Sequence, residues 1–539
     1  MKKLFYLFML LTYLDCTAQT LGKPKLVVGI VIDQMRPDYL YRYYDQYGEG
    51  GFKKLLKEGY NCKNMHYNYV PTYTGPGHAS IYTGCTPSGH GIVGNHWYSR
   101  EKNKTVYCTE DATVNGVGNN NNPGKMSARN QLSPTLGDEL IFFSQQRSKV
   151  IGLALKDRAA ILPAGHAANA AYWYDNGIFI SSDYYIKELP AWVIAFNQQK
   201  KAESYLSKKW ETLLPIAQYT QSMQDDNPYE GLFKGEQKPV FPHDLPMLMA
   251  SNGGLNLIRS TPFGNSITND FAMACILGEQ LGKDENTDLL AISYSSTDYV
   301  GHQYGIDAIE TQDTYLRMDR EIEALLAFLD KEVGKDQYLV FLTADHAGVR
   351  TPSYLRNKKT PGGYVNEDQL SDSLKAYFYK TFGDTLVLAY INQQFYLSQE
   401  KINQLKLKTE DVYQSGKKYL LGLKEISSVY SRDVFTSGQQ LQNNIGQKTA
   451  MGFDSKRCGD LFVNFYHGYA EYHETGTTHG SPYDYDTHVP LLFYGWGIKK
   501  GEDWNHYSIT DIAPTVSGLL NIPAPGGATG KPIVPLLQK

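Results

Sequence analysis

Three apolar runs in this chain each end on a carboxylate. They are Lys25 to Asp33 (KLVVGIVID), Leu289 to His302 (LLAISYSSTDYVGH) and Tyr338 to His346 (YLVFLTADH), and the last two also supply a histidine. Each run reads as a strand. In an open α/β sheet, ligands bind at the carboxyl ends of parallel strands. Three such ends carrying Asp33, Asp298, His302, Asp345 and His346 therefore predict one shared site. Oxygen and imidazole donors suit zinc or a related divalent metal. A fourth segment, Thr477-Thr478-His479-Gly480, offers a further imidazole in His479. Six ligands are too many for one tetrahedral zinc and fit two.

The chain has 539 residues, enough for a large core and more than one hydrophobic nucleus. Its 42% hydrophobic and 20% charged content is that of an ordinary globular protein. A net charge of −4 argues against nucleic-acid binding through a broad basic face, and leaves room for a small cationic pocket. The 42 tyrosines are unusual. They read as a tyrosine-rich core and surface; nothing in the sequence itself supports a stacking surface for sugars or bases.

The first residues have the form of a secretory signal. Lys2 and Lys3 precede an apolar stretch from Leu4 to Leu14, and Cys16-Thr17-Ala18 offers small residues before Gln19. We expect residues 1–18 to be removed and the protein to be periplasmic or secreted. Asp15 is a poor neighbour for a lipidated cysteine at position 16. No later run is long enough to span a bilayer. Five other cysteines remain, Cys62, Cys85, Cys108, Cys275 and Cys458, with no C-x-x-C pair. An oxidising compartment permits one or two disulfides among them, with at least one thiol left over.

Alternating strand and helix patterns run through most of the chain. Pro37 to Tyr47 and Leu132 to Ser144 read as helices and Val150 to Leu155 as a strand. Val70 to Gly84 reads as a loop and then a helix, with Gly75-Pro76-Gly77 at the turn. Two stretches, about 159–258 and 351–452, interrupt the alternation and read as cap-like insertions on a single domain over 19–539. The pattern resumes with Asp460 to Phe465 and Val489 to Gly495, and Ile509 to Leu520 reads as a helix.

Asp298 and His302 lie four apart, which puts both on one helical face. Asp345 and His346 are adjacent. Either pair alone is weak, because a strand-end Asp often caps the next helix; recurrence on successive strands is what carries the prediction. Thr74 is the candidate nucleophile, at a helix start where backbone N–H groups favour a phosphate oxygen. The alternatives are a simple cap at Thr74, or Thr72 as nucleophile. Lys156 and Arg158 lie two apart just past a strand, where extended geometry would put both on one face to clamp a dianion; the bland reading is a solvated charged turn. Asn95 is either an amide donor to a phosphate oxygen or a turn residue. Cys85-Thr86-Pro87-Ser88-Gly89 approaches the sulfatase motif C-x-P-x-R, but Gly89 stands where the arginine belongs and Cys85 follows the helix. It is rejected as a nucleophile.

Taken together, VVGIVIDQMRPDYLYRYY, YVPTYTGPGHASIYTG, LKDRAA, STDYVGH, TADHAG and TTHGSPYDYDTHVP resemble the alkaline phosphatase superfamily. Within it they are most similar to the bacterial phosphate-irrepressible alkaline phosphatases, over most of the chain beyond the signal. The resemblance implies an α/β/α sandwich around a mostly parallel sheet with cap-like insertions. It implies two Zn2+ per chain, one on Asp298, His302 and His479, the other on Asp33, Asp345 and His346 and also holding the oxygen of Thr74. It implies that Asn95, Lys156 and Arg158 surround the phosphoryl oxygens. The expected activity is phosphate-monoester hydrolysis through a phosphothreonine, by a monomer acting on small esters, with no nucleic-acid partner and no membrane-spanning segment after signal removal. The nucleotide pyrophosphatase/phosphodiesterase relatives share the six ligands and the threonine, but match less well at LKDR, where a monoesterase clamp belongs. A non-catalytic metal-containing envelope protein is the remaining alternative.

Overall fold

The computed structural model describes residues 22–119, 121–438, 441–471 and 474–538. The expected signal segment lies outside them. Four strands of the main sheet are fully buried along their length: β1 (Leu26–Ile32), β2 (Val150–Ala154), β3 (Asp288–Tyr294) and β4 (Tyr338–Thr343). With both faces covered, they show continuous apolar runs and no alternation. They lie parallel in the order β4-β1-β3-β2, and Ala170–Asp175 extends the parallel set beyond β2. Register brings their carboxyl ends level: Val31 pairs with Thr343, and Ile32 with Tyr294. Leu491–Gly495 runs antiparallel against β4, and Tyr60–His66 lies beyond it, within a sheet of 11 strands among the described residues. This is the α/β fold of the expected kind, with helices packed on a mixed, mostly parallel sheet.

Three helices matter for the site: α1 (Thr74–Thr83), α2 (Asp157–Ala164) and α3 (Ser296–Tyr304). The helix read over 132–144 starts later, at Leu136, because Thr135 and Asp138 form a reciprocal capping box there.

A second unit stands apart from this sheet. Val387–Ile391, Gln394–Leu397, Leu461–Phe465 and Ile426–Ser431 form a four-stranded sheet in that order, with its own core around Phe378, Phe395, Leu420 and Leu461. Asp460 to Phe465 reads in the sequence as resuming the main pattern, whereas Leu461–Phe465 lies inside this smaller sheet, paired on both sides. A five-residue apolar strand carries no mark of which sheet it will join. The stretch 159–258 is mixed in character. Ala170–Asp175 and Ile178–Ser182 pair with the main sheet, and the remainder is loops and short helices.

The anticipated disulfides are not formed. Cys62, Cys85, Cys108, Cys275 and Cys458 are all buried free thiols, acting as small apolar side chains. Many tyrosines are core residues, among them Tyr67, Tyr82, Tyr172, Tyr294 and Tyr315. Among the described residues, no helix is long and apolar enough to cross a membrane.

Candidate active site

The level strand ends create the site. Asp33 directly follows β1, and its backbone N–H donates to the Tyr294 carbonyl at 3.1 Å. The next residue, Gln34, has φ 63°, a left-handed conformation uncommon outside glycine. In that conformation its N–H donates to Asp345 Oδ1 (3.2 Å) and its Nε2 to Asp298 Oδ1 (2.8 Å). One residue thus ties three strand ends together. Gly301 makes room for it, since a Cβ there would lie 1.9 Å from Gln34 Oε1. Sequence reasoning missed Gln34; the DQ dipeptide carries no signal for a positive φ.

Two groups of residues that could hold a metal ion overlap at His346. Asp33, Asp345 and His346 bring donor atoms within 4.8 Å of one another, and so do Asp298, His346 and His479. His346 Nε2 is 3.4 Å from both Asp33 Oδ1 and Asp345 Oδ2. His302 Nε2 lies 3.1 Å from Asp298 Oδ1, and His479 Nε2 lies 3.7 Å from the same oxygen. The His346 and His479 rings stack at 3.4 Å. Each imidazole is oriented through Nδ1 by a carbonyl: His302 by Thr477, His346 by Ala347 and His479 by Thr72. That leaves Nε2 facing inward, the arrangement metal-ligating histidines adopt. Asp33 Oδ1, Asp345 Oδ2 and His346 Nε2 are buried with no hydrogen-bond partner. Converging lone pairs without proton donors are the signature of a cation site.

Electrostatics separates the carboxylates. Burial pushes the Asp345 carboxyl well above its ordinary range, and the neighbouring Asp33 adds to the rise. Burial opposes ionisation of Asp298 too, but His302 and Lys156 outweigh it and hold Asp298 well below the usual range. Desolvation pushes His346 down, and His479 down to about 3, so both are neutral lone-pair donors.

Thr74 opens α1 and is 1% exposed. The helix lies directly on the end of β4: a Cβ on Gly77 would be 2.3 Å from the Asp345 carbonyl oxygen. His78, one turn on, bonds the Thr74 carbonyl through Nδ1 (2.9 Å), with Asp345 Oδ2 3.4 Å from the same nitrogen and Ser293 Oγ 2.9 Å from Nε2. Sequence reasoning did not find His78. Asn95 lies beside this helix start and accepts the Gly75 N–H through Oδ1 at 2.8 Å. Thr72 has a different environment. Its carbonyl takes His479 Nδ1, while its hydroxyl accepts from Gly480 N–H (3.1 Å) and donates to the Ser481 carbonyl (3.3 Å).

Lys156 and Arg158 do not share one extended strand. The strand ends at Ala154, Lys156 is the extended N-cap of α2, and Arg158 falls within its first turn. Period-two geometry no longer applies there. The Lys156 ammonium lies 2.5 Å from both Asp33 Oδ2 and Asp298 Oδ2, joining the two ligand groups. Burial opposes its charge, but Asp298 and Asp33 raise its pKa overall. Arg158 instead donates from Nη1 to the Tyr107 hydroxyl (3.0 Å), and its Nε is buried without a partner.

Comparison with known proteins follows the same lines. The family described as Type I phosphodiesterase / nucleotide pyrophosphatase matches residues 27–488. Alkaline phosphatase PafA of Elizabethkingia meningoseptica is 46% identical over 96% of this chain and 95% of its own. Alkaline phosphatase PhoV of Synechococcus elongatus is 44% identical over 96% of this chain and 94% of its own. The crystal structure of wild-type alkaline phosphatase PafA superposes with a TM-score of 0.92 at 46% identity, covering 95% of this chain and 99% of that one. A PafA variant with one Thr changed to Ser, and one Asn, one Lys and one Arg changed to Ala, superposes equally well.

Proposed function

The chain belongs to the Type I phosphodiesterase / nucleotide pyrophosphatase family within the alkaline phosphatase superfamily, and from that membership we propose a zinc-dependent, two-step hydrolysis of phosphate monoesters through phosphothreonine at Thr74. It is a phosphoric monoester hydrolase of the alkaline phosphatase type. The observation that carries the mechanism is the set of buried, partnerless lone pairs on Asp33, Asp345 and His346 beneath the start of α1.

Asp33, Asp345 and His346 would hold one zinc, and Asp298, His302 and His479 the other. Two such ions supply Lewis acidity, favouring the ionised Thr74 hydroxyl and the departing ester oxygen. The chain's own residues do the rest. Thr74 Oγ forms a bond to phosphorus as the bond to the ester oxygen breaks, and the alcohol leaves with a proton. Water then attacks phosphorus, the Thr74 Oγ–P bond breaks, and inorganic phosphate is released.

Asn95 already spends its carbonyl oxygen on Gly75 N–H, so its NH2 end is the one directed at a phosphoryl oxygen. The partnerless Arg158 Nε offers a second donor, with Tyr107 fixing the guanidinium. Lys156 places a positive charge between the two ligand groups, where a dianion needs it. The substituted Thr and Asn of the PafA variant are as far apart in sequence as Thr74 and Asn95, and its Lys and Arg as far apart as Lys156 and Arg158. That matching spacing supports assigning these four residues to one site. We take the enzyme to act as an exported monomer on small esters.

Steady-state kinetics on an aryl phosphate and on its methyl ester, with zinc measured in the same preparation, tests the reading. Monoester preference with two zinc ions per chain supports it. Full activity with one metal would sink the two-metal mechanism. Preference for the diester would favour the phosphodiesterase chemistry in the family's own description.

A further inference from the structure

Arg158 directly follows Asp157, yet among the described residues its guanidinium forms no ion pair with a carboxylate. The Tyr107 hydroxyl links the two instead. It accepts from Arg158 Nη1 (3.0 Å) and donates to Asp157 Oδ1 (2.5 Å). A phenol carries one proton, a guanidinium only donates and a carboxylate only accepts. The directions are therefore fixed: Asp157 takes the phenol proton, and the phenol oxygen serves the guanidinium. Asp157 Oδ1 also accepts the Arg158 backbone N–H (2.6 Å), and Thr109 Oγ1 donates to Oδ2 at 3.5 Å. The carboxylate is thus anchored at the first turn of α2 by groups other than the guanidinium beside it.

Tyr107 comes from the hairpin that also delivers Asn95. His96–Ser99 and Lys104–Tyr107 pair antiparallel, with His96 opposite Tyr107. The Asn95 carbonyl accepts the Cys108 N–H (2.9 Å), and the His96 and Tyr107 rings lie 4.9 Å apart. Glu110 holds the other side of this hairpin end, accepting the Tyr107 N–H at 3.1 Å. One hairpin end therefore sets Asn95 against the start of α1 and, through Tyr107, Arg158 at the start of α2.

The donors left over show what this arrangement does. A guanidinium has five N–H groups in a fixed fork. Nη1 is used on Tyr107, whereas Nε is buried without a partner and Nη2 makes no hydrogen bond among the described residues. An edge with two parallel N–H donors suits two oxygens of one phosphoryl group, and it suits a carboxylate equally well. Asp157, one residue away, is the competitor for that edge. We propose that Tyr107 is a positioning residue for monoester hydrolysis: it occupies Asp157 and so keeps the Nε/Nη2 edge of Arg158 free for substrate. This rests on the reading of Arg158 as a phosphoryl-binding residue. Tyr107 acts through Arg158 and touches no reacting atom.

The test measures two quantities on the full mature, zinc-loaded protein: kcat/KM for an aryl phosphate and the competitive inhibition constant of inorganic phosphate. Tyr107→Phe keeps the ring beside His96 and removes only the hydroxyl, so the hairpin is retained. Losing a hydrogen bond to a charged group should raise the phosphate inhibition constant roughly tenfold and lower kcat/KM roughly tenfold to a hundredfold, with zinc content unchanged. In an Arg158→Ala background the same substitution should alter either quantity by less than about twofold, because the partner is gone. Tyr107→Phe/Asp157→Asn should regain most of the lost phosphate affinity, since an amide carries no charge to draw the guanidinium away. A loosened hairpin would instead weaken the Arg158→Ala protein further and would not be relieved at Asp157. Either of those results would overturn the proposal and leave the role of Arg158 standing. An Arg158→Ala protein that binds phosphate and turns over like wild type would overturn that role, and this proposal with it.

Discussion

Asp33, Asp345 and His346 bring two carboxylates and no exposed side chain to their half of the site, whereas Asp298, His302 and His479 bring one carboxylate and two imidazoles, with His302 23% exposed. The first half has the larger carboxylate set and is closed, and Gln34 and Gly77 lock it against the strand ends. The second is more open, and loops at Thr72 and Thr477 hold its histidines. Ligand charge and enclosure both strengthen cation binding. The closed half should therefore bind its metal tightly and activate the nucleophile lying on it, and the open half should exchange metal faster.

The harshest test of that division removes the hydroxyl that the closed half would activate. Thr74→Ala should cut turnover by about 10^4-fold or more while zinc content at both halves stays at wild-type level. Thr74→Ser should keep part of the activity because the hydroxyl remains. A loss of zinc from the closed half in Thr74→Ala would show that the threonine is needed to build the site.

The next largest effect concerns the cations. Lys156 spans both halves and Arg158 touches neither. Electrostatic contacts in a desolvated site are worth about 3 kcal/mol each, or about a hundredfold in rate. Lys156→Ala/Arg158→Ala should therefore lower hydrolysis of an aryl phosphate by roughly 10^4-fold, with a smaller loss for its methyl ester, which carries less charge. Equal losses on both esters would show that neither residue reads the extra charge. Single variants refine this: Lys156→Ala should also alter zinc release, and Arg158→Ala should not.

Direct comparison of the halves comes next. Chelator titration should strip Asp298, His302 and His479 first in the wild type. Asp345→Asn should reverse the order by weakening the closed half, and His302→Gln should widen the gap. Simultaneous loss of both metals in all three proteins would mean that His346, which faces both groups, couples them into one cooperative unit.

The two halves also differ in how far sequence alone reveals them. Asp33, Asp345, His346, Asp298 and His302 were readable because each follows a long apolar run, and level strand ends are a general property of parallel sheets. His479 lies on a loop with no such run before it, and resemblance was needed to assign it. Gln34 and His78 left no trace, because a positive φ and a packing contact between α1 and β3 depend on tertiary structure. The hydrogen-bond partners of Lys156 and Arg158 were not readable, since the strand ends one residue earlier than their pattern suggests and a helix starts at Asp157. The smaller sheet was hidden for a related reason: Leu461–Phe465 has the same burial pattern as the strands of the main one.

The smallest predicted effect separates the two threonines. Thr72 is fully buried, and its carbonyl and hydroxyl both serve the His479 loop. Thr72→Val keeps the carbonyl that orients His479 Nδ1 but leaves Gly480 N–H without its acceptor. A buried donor left unpaired costs about 1–3 kcal/mol, and Gly480, at φ 121°, sits where the loop must hold an unusual backbone shape. Supporting contacts of this kind typically alter metal affinity by about 10–100-fold. Since the direct ligand bond is retained, the lower end is expected, about tenfold, confined to the open half. With zinc in excess, turnover should return to near the wild-type value, because Thr74 is untouched. Abolished turnover in a fully zinc-loaded Thr72→Val protein, with Thr74→Ala still active, would transfer the nucleophile to Thr72 and make the open half, whose His479 loop Thr72 braces, the seat of the first chemical step.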